Sequence, residues 1–301
     1  MALRETEKMT DRSDTIIHPL DKEIHGTHIT SLYTLAAPYH RHNGYEIYLF
    51  LQGDIRYYIE DHCYDLKKGD MVLINKKEMH RAVCTEQLPY ERISIYISEA
   101  YLGQLSTENT NLAACFNMRN PGENNVIRLS EEECSRFVKL ADRLIQAEKR
   151  KNFGDDIMLR AYAEQILILA NQAYMDSNHV VNNIMPELIR NVMSYIEKNI
   201  SGEITLDNIS ECFYLDGTHI SRLFKRHTGL TMRSYIVARR VACARELLGS
   251  GKSVTEAGAL AGFNNYANFI RTFHRIEGIP PGQYAKEHWS PGRKSITISR
   301  G

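Results

Sequence analysis

The sequence predicts a multidomain α+β protein, in which a small N-terminal antiparallel β-barrel is followed by a helical hairpin and an all-α C-terminal domain. Three observations carry this expectation. Residues 28 to 98 form a series of short β-type runs, HITSLYTLA, YEIYLFLQG, IRYYIE, MVLIN and ERISIYI, broken by turn signals at Asn43-Gly44, Gly53-Asp54 and Gly69-Asp70. From about Ser130 the apolar period becomes helical. Beyond Pro186 the charge balance changes sign.

A chain of 301 residues with 43% apolar and 9% aromatic residues can bury more than one core, so two or three domains are expected. No apolar run reaches the roughly twenty residues of a membrane span. The opening MALRETEKMTDRSD is polar, which predicts neither signal peptide nor anchor, and the chain reads as cytoplasmic with no membrane partner. Cys63, Cys84, Cys115, Cys134, Cys212 and Cys243 are scattered without a C-x-x-C pair, the pattern of reduced thiols and not of a zinc knuckle or disulfide framework. Net charge is zero, yet Lys and Arg number 16 against 10 Asp and Glu from Pro186 onward, and 21 against 27 before it. A basic C-terminal part points to a polyanion as its partner.

Phe137, Leu140, Leu144 and Ile145 mark one helical stripe, and Ile157, Tyr162, Ile166, Leu169 and Ala170 mark a second, with KRKNFGDD as the turn between them. The two stripes carry more apolar residues than contact with one barrel requires, so the hairpin is expected to make a homodimer. The polar DSNHVVNNIMP, rich in asparagine and closed by proline, marks a domain boundary. The expected divisions are a barrel over 1–100, a helical dimerisation region over 101–180, a linker over 181–186, the C-terminal helical domain over 187–289 and a tail over 290–301.

Inside that helical domain, ISRLFKRHTGLTMRSY (220–235) and FIRTFHRIEGIPPGQY (269–284) superpose at a constant shift. Arg222 falls on Arg271, Phe224 on Phe273, Arg226 on Arg275, Gly229 on Gly278 and Tyr235 on Tyr284. A shorter helical pattern precedes each copy, ITLDNISECFYL (204–215) and SVTEAGALAGF (253–263), at a shift one residue smaller, which puts the extra residue in a turn between two helices. Asp216, and Asn264 or Asn265, are the expected N-caps of the second helix. Ile220, Leu223, Phe224 and His227 share the apolar side of that helix, leaving Thr218, Ser221, Arg222, Lys225 and Arg226 on its other faces. Arg, Asn, Ser and Thr read base edges in the major groove, while further Lys and Arg meet phosphates. The connector MRSYIVARRVACARELLGSG reads as a helix of about 17 residues, or about 25 Å, suited to set two reading heads toward major grooves about 34 Å apart. Gly258 inside a helix, and Ala257 opposite Ile209, predict looser packing in the second unit.

Residues 187 to 288 resemble the DNA-binding domain of AraC/XylS transcriptional regulators. ISRLFKRHTG, AGF and NFIRTFHRIEGIPPGQY carry the resemblance, with Pro280 and Tyr284 in order. It implies two helix-turn-helix units on a linker helix, double-stranded promoter DNA and RNA polymerase as partners, and a role in transcription regulation, with activator and repressor both left open by the residues. Carried over, the base-contacting positions fall on Thr218, Ser221 and Arg222, and on Ala267, Asn268, Ile270 and Arg271. Lys225, Arg226, Asn265 and Arg275 complete the expected DNA-binding set. The chain departs from the family pattern at Ala257-Gly258, where Ile-Ala is usual, and at Ile270, a place often polar.

In the N-terminal half, HRHNGYEIYLFLQG contributes His40, His42 and Glu46, and GDMVLINKKEMH contributes His80. Strand alternation points His40 and His42 the same way, and Glu46 and His80 can converge with them in a barrel mouth. The two stretches resemble the cupin motifs, whose barrel is the usual sensor domain of the AraC family. Three imidazoles and a carboxylate suit iron, manganese, nickel or zinc. Asn75 and Lys77, however, stand where the second motif has proline and glycine, so the four residues are expected to act as pocket groups with no bound metal. A small effector, with a saccharide as the first choice, is assigned to His40, His42, Glu46, Tyr48, Tyr57 and His80, since tyrosines stack on apolar sugar faces. A metal-dependent cupin enzyme fused to a DNA-binding domain is the alternative. No nucleophile elbow, phosphate loop or H-E-x-x-H motif points to catalysis or a cofactor.

Overall fold

The computed structural model describes residues 16–18, 22–31, 39–84, 86, 88–176, 181 and 183–288. It divides into two units, Met1–Ile184 and Met185–Gly301. The expected tail over 290–301 lies outside the described residues.

Among the described residues of the first unit the alternating runs form ten strands: β1 (Ile16–His18), β2 (Ile24–Ser31), β3 (His40–His42), β4 (Gly44–Gln52), β5 (Ile55–Ile59), β6 (His62–Leu66), β7 (Asp70–Ile74), β8 (His80–Cys84), β9 (Tyr90–Ser98) and β10 (Val126–Arg128). They make two five-stranded sheets, ordered β1-β3-β8-β5-β6 and β10-β7-β4-β9-β2. Pairing is antiparallel except between β1 and β3. Tyr48, Phe50, Ile55, Tyr57, Tyr64, Leu66, Val72 and Tyr90 are buried together as one apolar cluster.

The other faces of β4, β7 and β9 bury Ile47, Leu49, Leu73, Ile93 and Ile95 against a helical cover. That cover begins with α1 (Glu99–Leu105) and α2 (Ala114–Asn117) and is dominated by α3 (Glu131–Arg150) and α4 (Asp155–Met175). Ser130 and Glu133 form a reciprocal capping box at the start of α3. Phe137, Leu140, Leu144 and Ile145 are buried, as are Ile166, Leu169 and Ala170 on α4. Ile157 departs from expectation: it is 66% exposed, at the start of an α4 face that also exposes Ile168 and Met175. Two further departures concern the boundaries. β10 lies within the segment read as helical, because three residues are too few to show a period. The segment read as linker is laced to strands instead: Val181 N donates to Val126 O at 2.9 Å, Ile184 N to Cys63 O at 2.8 Å, and Cys63 N to Asn183 Oδ1 at 2.9 Å. Among the described residues no helix is long and apolar enough to cross a membrane.

The described residues of the second unit form helices without strands: α5 (Glu187–Lys198), α6 (Leu206–Phe213), α7 (Gly217–Thr228), α8 (Met232–Gly249), α9 (Val254–Leu260), α10 (Tyr266–Glu277) and α11 (Pro281–His288). The sequence repeat becomes a structural one. α7 and α10 are each 12 residues long, are N-capped by Asp216 and Asn265, and end at Gly229 and Gly278. Those two glycines adopt φ of 70° and 76°, the left-handed conformation that closes a helix and that glycine reaches without steric cost. Tyr235 on α8 meets Phe224 edge-on at 5.5 Å, and Tyr284 on α11 meets Phe273 edge-on at 5.6 Å. The repeated phenylalanine and tyrosine thus lock each reading helix to the helix that follows it.

The second unit is expected to pack loosely at Ala257 and Gly258, and both are buried. Val241, Ala244 and Leu248 of α8 pack with Ala257, Ala261, Phe269, Phe273 and Ile276 in one continuous core. Gly258 is buried because the Phe269 ring occupies the space a side chain would need: a Cβ there would lie 2.6 Å from Phe269 Cδ1. The missing methyl brings α9 and α10 together.

Candidate effector pocket and nucleic-acid interface

Strand alternation puts His40 and His42 on one face of β3, and the pairing of β3 with β8 sets His80 opposite His40. The ring centroids are 4.3 Å apart for His40 and His80, and 5.1 Å apart for the other two pairs. Their nitrogens gather within 4.8 Å of one another. Glu46 joins from β4, its Oε2 lying 3.1 Å from His42 Nε2 and 3.2 Å from His80 Nε2. The structure therefore brings together all four residues that the sequence placed at the barrel mouth. Glu46, His42 and His80 are buried. Burial pushes the Glu46 carboxyl up, but the two imidazoles beside it pull harder, and it settles well below the ordinary carboxylate range.

The orientation of His80 is set from behind. Its Nδ1 lies 3.0 Å from the Glu78 carbonyl oxygen, which only accepts, so Nδ1 carries a proton. In the neutral ring Nε2 then presents a lone pair to the Glu46 carboxylate. Two such acceptors at 3.2 Å call for a shared proton, a ligand hydroxyl or a cation. The turn before His80 also has a support the sequence did not disclose. Glu78 Oε2 accepts from Asn75 N at 2.8 Å, and the same carboxylate takes both terminal nitrogens of Arg119, Gly122 N and Asn125 Nδ2. Glu78 could have been suspected from its place beside His80. Arg119, 41 positions further on, gave no local signal.

Of the two tyrosines assigned to the pocket, Tyr57 lies nearly parallel to the His80 ring, 6.1 Å away. Tyr48 is packed against Tyr57, and its hydroxyl is 2.6 Å from that of Tyr90. Tyr48 thus belongs to the apolar cluster and its polar end is already engaged. Tyr96, not assigned to the pocket, meets the His42 ring at 4.8 Å and is the cross-strand neighbour of Glu46. Burial first, and the nearby Glu46 charge second, hold the Tyr96 hydroxyl protonated.

In the helical unit α7 buries Ile220 and Phe224 and exposes Thr218, Arg222, Lys225 and Arg226, with Ser221 half-buried. On α10, Ala267, Asn268, Arg271 and Arg275 are exposed, whereas Ile270 is half-buried against the core of its own unit. Asn265 spends its side-chain oxygen on Asn268 N at 2.8 Å as the helix cap. A groove of about 550 Å³ brings Ser221 of α7 beside Asn265 and Asn268 of α10, over Arg233 and Val237 of α8.

Comparison with known proteins matches this division. Residues 29–167 fit a family model described as an AraC-like ligand binding domain, and residues 209–287 fit one described as a helix-turn-helix domain. The melibiose operon regulatory protein of Escherichia coli is 28% identical over 120 residues, which is 40% of this chain and 40% of that one. The chain therefore spans less than half the length of that relative. The transcriptional activator RhaR of Mannheimia succiniciproducens is 21% identical over 82% of this chain and 86% of its own. Among solved structures, ToxT from Vibrio cholerae bound to (E)-4-(8-methylnaphthalen-1-yl)but-3-enoic acid is 11% identical over 88% of this chain and 99% of its own, with a TM-score of 0.38.

Proposed function

Because the chain belongs to the AraC/XylS family of transcriptional regulators, we propose that it binds promoter DNA through α7 and α10 under the control of a small polar effector held among His40, His42, Glu46 and His80. The observation that carries the DNA reading is the structural repeat: two capped, glycine-closed helices with exposed arginines, mounted on α8. The 18 residues of α8 extend about 27 Å at about 1.5 Å per residue, shorter than the about 34 Å between adjacent major grooves by an amount that reading helices displaced at its two ends can make up. RNA polymerase at the promoter and a second copy of this chain are the protein partners. A saccharide is the effector class, supported by buried hydrogen-bonding groups beside tyrosine rings and by the printed name of the melibiose operon regulatory protein. A panel of sugars tested by thermal shift checks this part, because a ligand that binds only the folded barrel raises its melting temperature. No shift with any sugar, alongside retained binding to operator DNA, would remove the saccharide and leave the regulator.

A second reading of the same cluster is favoured by its geometry. Ligand bonds near 2.1 Å around a transition metal place neighbouring ligand atoms about 3.0 to 3.4 Å apart. The 3.1 Å and 3.2 Å separations around Glu46 Oε2 fit that spacing, and the Glu78 carbonyl fixes the His80 tautomer a metal needs. His40, His42, His80 and Glu46 would hold the ion. Titration of the chelator-treated protein with nickel or zinc checks it: one equivalent bound by the parent and none by His80→Ala supports the metal, and no binding by the parent removes it.

A further inference from the structure

Arg81 follows His80 on β8, so its side chain lies on the opposite face of that sheet from the histidine cluster. Its guanidinium carbon is 5.4 Å from the ring centre of Tyr39 and 5.6 Å from that of Tyr58, its cross-strand partner on β5. Arg81 is 4% exposed and Tyr39 2%. Among the described residues neither Arg81 Nε nor the Tyr39 hydroxyl has a hydrogen-bond partner.

Three other arginines of this unit have carboxylate partners. Arg119 is paired with Glu78, Arg128 with Asp70 and Arg56 with Asp65. Among the described residues no carboxylate pairs with Arg81. The titratable groups that face it are Tyr39, Tyr58 and Cys63. Burial pushes the Tyr58 hydroxyl and the Cys63 thiol up to about 12, so both are neutral at physiological pH, as a tyrosine hydroxyl such as that of Tyr39 is from its ordinary value. Guanidinium keeps its proton at any such pH. A buried cation surrounded by neutral donors is heavily penalised unless an anion reaches it.

We infer that Arg81, Tyr39 and Tyr58 form an anion site, distinct from the histidine pocket, that takes the carboxylate or phosphate group of a small acidic ligand. The planar guanidinium grips two oxygens at once, as it does with carboxylates and phosphates generally. The Tyr39 hydroxyl donates a further hydrogen bond, and the two rings flank the ligand. Since β8 carries Arg81 on one face and His80 on the other, ligands at the two sites hold the same strand from its two sides.

The test uses the full chain, with sodium phosphate and sodium acetate as probes at constant ionic strength, read by thermal shift and calorimetry. A saturable rise in melting temperature is expected with at least one of them, and which one responds separates a phosphate from a carboxylate. Arg81→Met should abolish the response while melting no lower than the parent, because the substitution removes an unpaired buried charge. Tyr39→Phe should fold as the parent does and weaken anion binding about tenfold, the loss of one hydrogen bond to a charged group. The inference is overturned if neither anion gives a saturable response in the parent, or if Arg81→Met responds like the parent. Should Arg81→Met fail to fold, Tyr39→Phe decides: unchanged affinity for the responding anion overturns the site.

Discussion

Single residues act in this protein according to what lies across from them, and Gly258 shows how far that can reverse a reading made along the chain. Within a helix, replacing glycine by alanine is worth about 1 kcal/mol of stability. Here the new methyl would lie 2.6 Å from Phe269 Cδ1 and 3.0 Å from Cε1, so α9 and α10 must separate or the ring must leave its rotamer. Overpacking of that kind costs about 1 to 3 kcal/mol, which outweighs the gain in propensity. Gly258→Ala should therefore unfold at lower denaturant than the parent; an increase would mean that the ring gives way freely. The glycine was visible in the sequence, but its partner lies on the next helix and no spacing rule connects them. The same holds for Ile270, placed by family position on the DNA face and turned by packing toward its own core. By contrast, His40, His42, Glu46 and His80 were legible, because strand parity and register depend only on period.

At the scale of elements, the seam between β2 and α3 is built from ion pairs whose strength depends on pH. Glu148 of α3 reaches Lys22, His25 Nδ1 at 2.8 Å and Gly26 N at 3.1 Å. Burial pushes its carboxyl up, but these partners pull it below the ordinary value. His28 sits between Asp142 and Glu91, 2.9 Å from each, and their combined pull outweighs the downward effect of burial, so its value is raised. A lowered carboxylate stabilises above its unfolded value and loses that contribution as pH falls through its folded one; a raised histidine does the reverse. Glu148→Gln should cost about 1 to 2 kcal/mol near neutrality, with the difference from the parent narrowing below about pH 4. His28→Gln should be most damaging below about pH 6.5 and progressively harmless as pH rises through the raised value. Urea midpoints of parent and variants across that range check both, and pH-independent differences would refute the assignment. None of this seam was legible beforehand, since it joins positions more than 110 residues apart. The long helices and strands were legible, because each repeats its period several times, whereas β10 repeats too little to register.

The whole molecule is proposed to act as a dimer that reads two major grooves with each copy, and each part of that proposal has a separate test. On α3 the outward positions Arg136, Lys139, Arg143 and Lys149 are charged and exposed, whereas α4 exposes Ile157, Ile168 and Met175. A second copy should therefore dock on α4, and Ile168→Glu should turn a micromolar dimer into a monomer by light scattering, with weaker binding to a two-site operator. Equal mass for parent and variant would place the dimer elsewhere. The two reading heads are not equivalent. The first exposes Thr218 and Arg222, with Ser221 at the groove, and all three can hydrogen-bond base edges. The second offers Ala267 and the half-buried Ile270 at the matching places, and Asn265 is spent on its cap, which leaves Asn268 and Arg271 as its polar readers. The second unit has a continuous core of its own, so the difference argued here is one of exposed chemistry. Arg222→Ala should thus cost about 1 to 3 kcal/mol of discrimination between operator and scrambled duplex. Arg271→Ala should weaken both duplexes more evenly and reduce the slope of log affinity against log salt by about 1, as expected on losing a phosphate contact. If the two substitutions cost discrimination equally at matched salt, both heads read sequence, and Asn268 with Arg271 makes up for the apolar residues beside them.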